Sequence, residues 1–309
     1  MHHYRVCGYT VVSDLDLPGA IAAPPPGAAP DVRVRRGAVP ATLGEASHRG
    51  PNWAMTDDRF MLRVPGVARF LIAQGREILF ETEGGTSEAD AAIFLLGSAF
   101  GILLHQRGQM VLHASAVSVS GKAVLFCGPS GAGKSTIAAA LGARGFAHVN
   151  DDVCCLGSDA DGRPTIVPDG RMLKLWADAV ERLDVAEHKG AAVRSQMEKF
   201  YVEPSSAAVE DALPIGAIYM LRRERPSLAR GIEPLSPLDA AILLRRNAYR
   251  PRLMRIMGLA DRFFRESSSL QRHAGLFRLT RPLDFAMMPE VADMLAAHWR
   301  RLGLLETAR

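Results

Sequence analysis

Only four of the 309 residues are cysteine, Cys7, Cys127, Cys154 and Cys155, and no two stand at a metal-ligand spacing. Cys154 and Cys155 are adjacent and would point to opposite faces of a strand, so a buried, reduced pair is expected. Charge of one sign is also scarce. Lys and Arg total 37 against 33 Asp and Glu, a net +4 that is too small to argue for a nucleic-acid partner. No signal-peptide pattern opens the chain and no long uncharged apolar run interrupts it, so no membrane partner is expected and the cytoplasm is the expected compartment. There is no internal repeat, which excludes solenoids and propellers, and no low-complexity tract beyond the Pro/Ala/Gly-rich residues 22–30. What remains is 48% hydrophobic and 23% charged, the composition of a globular protein with ample core.

The strongest local signal is Gly128-Pro129-Ser130-Gly131-Ala132-Gly133-Lys134-Ser135-Thr136, which fits the phosphate-binding template G-x-x-x-x-G-K-[ST]. The apolar run Ala123–Cys127 reads as a buried strand leading in, and Ile137–Arg144 as a helix leading out. Glycines let successive backbone N–H groups converge on phosphate oxygens at a helix N-terminus that already favours negative charge. Lys134 would neutralise the terminal phosphates and the Ser135 hydroxyl would ligate Mg²⁺. Gly128, Ser130, Gly131, Ala132, Gly133, Lys134, Ser135 and Thr136 are therefore the expected nucleotide-binding residues.

Residues 1–85 read as a β-rich N-terminal domain. The pattern predicts one strand over Tyr4–Val12, an edge strand at Asp31–Arg35, and three strands, Phe60–Val64, Ala68–Ile72 and Glu77–Glu81, joined by short hairpin turns. Asp57 and Asp58 read as a solvated turn. Ser87 and Asp90 have capping-box spacing ahead of the apolar run Ala91–Leu104, a helix expected to be buried between the β-rich part and a second domain, residues 86–309.

Two further features flank the loop. Met110–Ser120 reads as one strand, with His113 inside it, where a core histidine is the ordinary reading. His148–Leu156 reads as another, and it carries the adjacent carboxylates Asp151 and Asp152. Such a pair resists burial unless a cation accompanies it, and a Mg²⁺–nucleotide supplies one.

His113, the phosphate loop, Arg144-Gly145 at the end of the loop helix and Asn150-Asp151-Asp152 on the next strand together resemble the catalytic domain of the HPr kinase/phosphorylase family. The resemblance covers residues 108–156 and the rest in outline. It implies an α/β fold, α+β overall, with a P-loop core like that of phosphoenolpyruvate carboxykinase. It also implies ATP and Mg²⁺ as cofactors, and phosphorylation of a serine on a peptide or small protein. Carried over, Lys134 and Ser135 hold phosphate and metal, Asp151 binds metal, Asp152 is the base and His113 lies close to the phosphates. The Arg-Gly-Ile-Gly type signature of the true HPr kinases has no counterpart after the aspartates. The layout is closer to HPr kinase-like proteins of proteobacteria, some of which accompany lasso-peptide clusters and phosphorylate the precursor peptide. The family tends to assemble, which keeps a homo-oligomer open, but the residues mark no interface stripe.

The second half is less informative. Trp176 reads as core. Residues 186–206 read as a long irregular segment, within which Lys199 is a candidate substrate contact. From Arg222 to Arg281 there are about fourteen arginines against about five acids. Arg245, Arg246, Arg250 and Arg252 are the densest group, a candidate basic rim for an acidic peptide or a carboxylate. Four readings stay open on residues alone: a peptide or protein serine kinase, an HPr(Ser) kinase/phosphorylase, a small-molecule kinase and a non-catalytic nucleotide sensor.

Overall fold

Two residues with left-handed backbone open the fold. Cys7 (φ 51°) and Gly8 (φ 79°) turn the chain between β1 (His2–Val6) and β2 (Tyr9–Ser13). Consecutive positive φ values match the twist of paired strands, so the single strand expected over Tyr4–Val12 is instead a hairpin. The structure is a computed structural model; it describes residues 1–309 except 26, 170, 171, 184–188, 195, 196, 204–210, 227 and 307–309, and the side chains of 191, 193, 194, 197 and 199.

β3 (Val32–Arg36), β4 (His48–Gly50), β5 (Trp53–Met55), β6 (Arg59–Val64), β7 (Ala68–Ala73) and β8 (Glu77–Thr82) complete an eight-stranded sheet in the order β1-β2-β3-β8-β7-β6-β5-β4. The meander β6–β8 lies where its alternation predicted. β3 does not: it is interior, parallel to both β2 and β8. Alternation explains the difference, because Val32 and Val34 face the core while Arg33 and Arg35 lie on the open face. Arg35 pairs there with Glu77, while Arg36, one residue on, lies over the Phe80 ring and pairs with Glu88.

Ser87 caps α1 (Glu88–Phe94), its hydroxyl accepting from the Asp90 N–H. A π-helical turn (Leu95–Ala99) and α2 (Phe100–Gln106) continue it. By length and composition alone this stretch could cross a membrane, but 61% of its most apolar window is buried inside the protein. Leu95, Phe100 and Leu103 join Phe60, Phe70 and Phe80 in one core, which also takes in Val111, Val153 and Leu253 from further along the chain.

The elements that follow are β9 (Met110–Leu112), β10 (Ala114–Val119), β11 (Lys122–Cys127), α3 (Lys134–Gly142), β12 (His148–Asp151), β13 (Cys154–Ser158) and β14 (Pro164–Val167). Next come β15 (Leu173–Trp176), α4 (Ala177–Arg182), β16 (Lys189–Arg194), β17 (Met197–Val202) and β18 (Leu213–Arg223). The chain closes with β19 (Gly231–Pro234), α5 (Pro237–Arg246), α6 (Pro251–Ile256), α7 (Ala260–His273), β20 (Gly275–Arg281) and α8 (Met288–Arg301). A nine-stranded sheet runs β12-β10-β11-β18-β14-β13-β9, with β20 beside β18 and β19 beside β20. β11, β18 and β20 are parallel neighbours at its middle. On one face Phe126, Tyr219 and Phe277 stack in series under α3 and α8, with Trp299 fully buried. On the other, Leu244, Met254, Phe263 and Leu270 of α5–α7 close the core. The whole is a mixed α/β protein with several sheets.

Residues 189–194 and 197–202, expected to be irregular, are strands: β15, β17 and β16 form a third sheet in that order. All four cysteines are buried and none forms a disulfide. Burial pushes the Cys127 thiol up to about 12, so it is inert at neutral pH.

Candidate active site

The site begins where two strands break. Met110–Ser120 is not one strand, because β9 and β10 are separated at His113 and take different partners: β9 pairs with β13, and β10 with β11 and β12. His148–Leu156 breaks in the same way between β12 and β13, at Asp152, whose φ of 74° is left-handed. Each end strand of the sheet path, β9 or β12, is thus only one or two residues in the chain from the strand beside the opposite end, β10 or β13, and the sheet curls until the breaks meet. There the His113 ring Nδ1 lies 2.9 Å from the Asp152 carbonyl oxygen and 3.1 Å from its carboxylate Oδ1. Both neighbours are acceptors, so Nδ1 carries the proton. His113 is at a strand break rather than within a strand, and about a third of its side chain is exposed.

Asp151, one residue earlier, points the other way and is 3% exposed. Its Oδ1 accepts from the Ser115 hydroxyl at 2.6 Å and the Ser135 hydroxyl at 2.8 Å, and its Oδ2 from the Lys174 N–H at 3.1 Å. Opposed side chains on consecutive residues are what an extended backbone produces. The left-handed turn at Asp152 then aims its carboxylate into the cleft.

β11, the loop 128–133 and α3 have the strand–loop–helix order that the motif requires. Gly131 (φ 79°) and Gly133 (φ 81°) are both left-handed, and no side chain caps the N-terminus of α3. An uncapped helix N-terminus after a glycine loop is the geometry at which anions bind. Lys134, 7% exposed, donates to the carbonyls of Gly128 (2.9 Å) and Pro129 (3.1 Å). Ser130, Gly131, Gly133, Lys134, Ser135, Thr136, Asp151, Asp152 and His113 line a cleft of about 460 Å³. Gly128 lies behind it, and the Ala132 carbonyl faces Arg281.

Four residues of the site escaped the sequence reading. Lys174, on β15 and nearly buried, places its ammonium 3.4 Å from Asp152 Oδ2 while its N–H holds Asp151, so one residue positions both aspartates. A lone cation in the apolar run Met172–Trp176 was the available signal. Asp169 is fully buried, with Oδ2 3.4 Å from the Asp151 N–H. Trp176 is not core: it is 52% exposed and lines the cleft with Leu283, Phe285 and Met288. Arg281, at the end of β20, donates to the Ala132 carbonyl at 2.7 Å and is 2% exposed. Burial pulls its pKa down to about 10, still charged at neutral pH.

The structure does not bring every candidate to the cleft. The Lys199 backbone pairs with Trp176 in β17, and its side chain lies outside the described residues. Arg245 and Arg246 are exposed at the end of α5, and Arg250 precedes α6; none of them lines the cleft. Among the described residues no group of three His, Cys, Asp or Glu side chains could hold a metal by itself.

Gly133 and Arg281 should be energetically coupled. A Cβ at Gly133 would stand 2.2 Å from Arg281 Nη2, on a backbone that L-residues avoid. Gly133→Ala is expected to destabilise the fold, with about 1–2 kcal/mol from the left-handed backbone and more from the clash. Adding Arg281→Ala should return the clash portion, giving a non-additivity of about 0.5–3 kcal/mol in urea denaturation. Strict additivity would show that the two do not press on each other.

No family model matches the sequence, and no curated protein matches it. Among solved structures the chain is similar to the HPr(Ser) kinase/phosphatase from Coxiella burnetii, with a TM-score of 0.33 and 12% identity over 62% of this chain and 98% of that one. Similarity at that level carries no argument about fold or activity.

Proposed function

We propose that the protein is an ATP-dependent kinase that phosphorylates a serine hydroxyl on a peptide or small protein. The observation that carries the reading is the division of labour between neighbouring carboxylates. Asp151 is bonded to the Ser135 hydroxyl of the phosphate loop at 2.8 Å, while Asp152 turns into the cleft against His113. The cleft, at about 460 Å³, is of the size that holds a small-molecule ligand.

Magnesium suits this donor set. It keeps several waters and takes one or two protein oxygens beside substrate phosphates, so Ser135 and Asp151 suffice and a cage of three carboxylates is not needed. Bound there with the nucleotide, the ion neutralises charge on the terminal phosphate oxygens. The amides of Gly131–Gly133 and the first turn of α3 hold the phosphates, and Lys134 supplies the mobile cation. Asp152 accepts the proton of the acceptor hydroxyl. The freed oxygen pair bonds to the γ-phosphorus as the bond to the bridging oxygen breaks, and that electron pair leaves on ADP. His113 Nδ1 and the Lys174 ammonium hold Asp152 in position. A ribosomal precursor peptide is the acceptor that the family resemblance implies.

The test is incubation with Mg-ATP and serine-containing peptides, followed by mass spectrometry. Transfer adds the mass of one phosphoryl group to the peptide and releases ADP. Nucleotide binding with no transfer to any peptide or protein acceptor would leave a nucleotide sensor as the better account.

A further inference from the structure

We infer that a second pocket, which meets the cleft at His113, seats the acceptor and selects for carboxylates flanking its hydroxyl. The inference rests on the kinase reading and deepens it by naming the substrate class.

This pocket, about 290 Å³, lies between His113, Gly128 and Pro129 on one wall and Arg246, Tyr249 and Arg250 on the other. Its far wall is held firmly. The segment from Asn247 to Tyr249 lies along β9 as an added strand: the His113 N–H donates to the Asn247 carbonyl at 2.8 Å and the Tyr249 N–H to the Val111 carbonyl at 2.8 Å. Leu112 and Ala248 form the bridge between them. His105 Nε2 lies 2.9 Å from the Tyr249 carbonyl and anchors it from below. Arg250 then takes a left-handed backbone (φ 47°), which a long side chain rarely adopts, and Pro251 follows. Such strain persists where the surroundings impose it, and it is concentrated at binding sites. Arg250 lines the pocket, and its guanidinium donates to Ser98 Oγ and stands 5.8 Å from the Tyr249 ring.

Charge defines the occupant. Nine of the fourteen arginines from Arg222 to Arg281 fall into two groups. Arg222, Arg230, Arg262 and Arg278 each pair with a glutamate. Arg245, Arg246, Arg250, Arg252 and Arg255 form no ion pair among the described residues, and they cluster at the end of α5 and along α6 beside this pocket. Arg223, Arg225, Arg265, Arg272 and Arg281, on β18, the turn after it, α7 and β20, also form no ion pair among the described residues. The pocket is not a second phosphate nest. Pro129 has no N–H to offer an anion, and the Gly128 and Pro129 carbonyls are acceptors that bond Lys134 instead. Arg246 and Arg250 are the cationic side chains that line it and would hold an anion seated here. Arg245 and Arg252, exposed and adjacent in the chain to the lining residues Arg246 and Pro251, extend the basic charge beyond the pocket, which suits a peptide better than a metabolite. A serine entering past His113 meets Asp152 on one side, while acidic neighbours along its chain meet Arg246 and Arg250.

The experiment measures binding, so that it stands apart from turnover. Three fluorescent peptide pools centred on serine, with acidic, neutral or basic flanks, are titrated with the full chain, with and without Mg²⁺ and a non-hydrolysable ATP analogue. The acidic pool should bind about tenfold tighter than the neutral pool, and raised salt should erase the difference. In the double variant Arg246→Ala, Arg250→Gly the preference should vanish. The glycine eases the left-handed backbone, so the variant folds, which a thermal melt verifies. Arg230→Ala, which removes a paired arginine elsewhere, should keep the preference. Equal binding of acidic and neutral pools, a preference that survives in the double variant, or no binding of any pool overturns the inference. Acidic selectivity without phosphoryl transfer would instead refute the kinase reading and leave the pocket assignment standing.

Discussion

Asp152→Asn is expected to lower the rate of phosphoryl transfer by about 10²–10⁴-fold, the usual worth of a positioned general base. The substitution isolates that function unusually well. Asparagine is among the non-glycine residues that best tolerate left-handed backbone, so the φ of 74° at this position is not a source of misfolding. His113 stays where it is, because its Nδ1 also bonds to the Asp152 backbone carbonyl at 2.9 Å, which the variant retains. Asp151 and its bonds to Ser115 and Ser135 are untouched. What disappears is a carboxylate able to accept a proton, together with its charge pairing to the Lys174 ammonium at 3.4 Å. Single-turnover transfer from labelled ATP to a peptide measures the loss, and nucleotide affinity measured in parallel should stay close to that of the parent. A variant that transfers at the parental rate would remove Asp152 as the base and turn attention to the free Nε2 of His113.

How far the site was legible follows from how local each of its parts is. The phosphate loop was legible because its chemistry sits within nine consecutive residues, between a strand and a helix that each announce themselves. The two aspartates were legible as an acidic pair in an apolar run. The reason they face different ways was not. β12 and β13 are buried on both faces, so the apolar pattern runs straight through the break at Asp152, and likewise through His113. A strand that changes partners looks, in sequence, like a strand that continues. β3 shows the same blindness from the other side, since alternating arginines mark an open face as readily as an edge. Trp176 was misread because its neighbours Leu173 and Leu175 are core while it is not. Lys174 and Arg281 come from strands far from the loop in the chain, and only the folded sheets put an ammonium against Asp152 and a guanidinium against Ala132.

Lys134→Met separates binding from transfer in the opposite sense. The Lys134 ammonium is almost buried and bonded to two loop carbonyls, at 2.9 and 3.1 Å, beside the cleft. Methionine has nearly its length and no charge, so it fills the same space at the start of α3 without the cost of desolvating an ammonium. The unliganded fold should therefore melt no earlier than the parent. The consequence appears with nucleotide present. Removing a charge aimed at the phosphates is expected to cost about 10²–10³-fold in transfer. It should also abolish the thermal stabilisation that a saturating ligand confers, about 2.7 kcal/mol for a parent held at a hundredfold excess over its Kd. Melting curves with and without a Mg-ATP analogue read this directly: the parent shifts upward, Lys134→Met does not, and Asp152→Asn shifts like the parent. If Lys134→Met shifted as far as the parent, the phosphates would not lie against this loop. If Asp152→Asn failed to shift, its carboxylate would be serving the nucleotide rather than the acceptor. The two variants together therefore assign the donor side of the cleft to the loop and the acceptor side to the strand break, or refuse that assignment, with one instrument and no acceptor in hand.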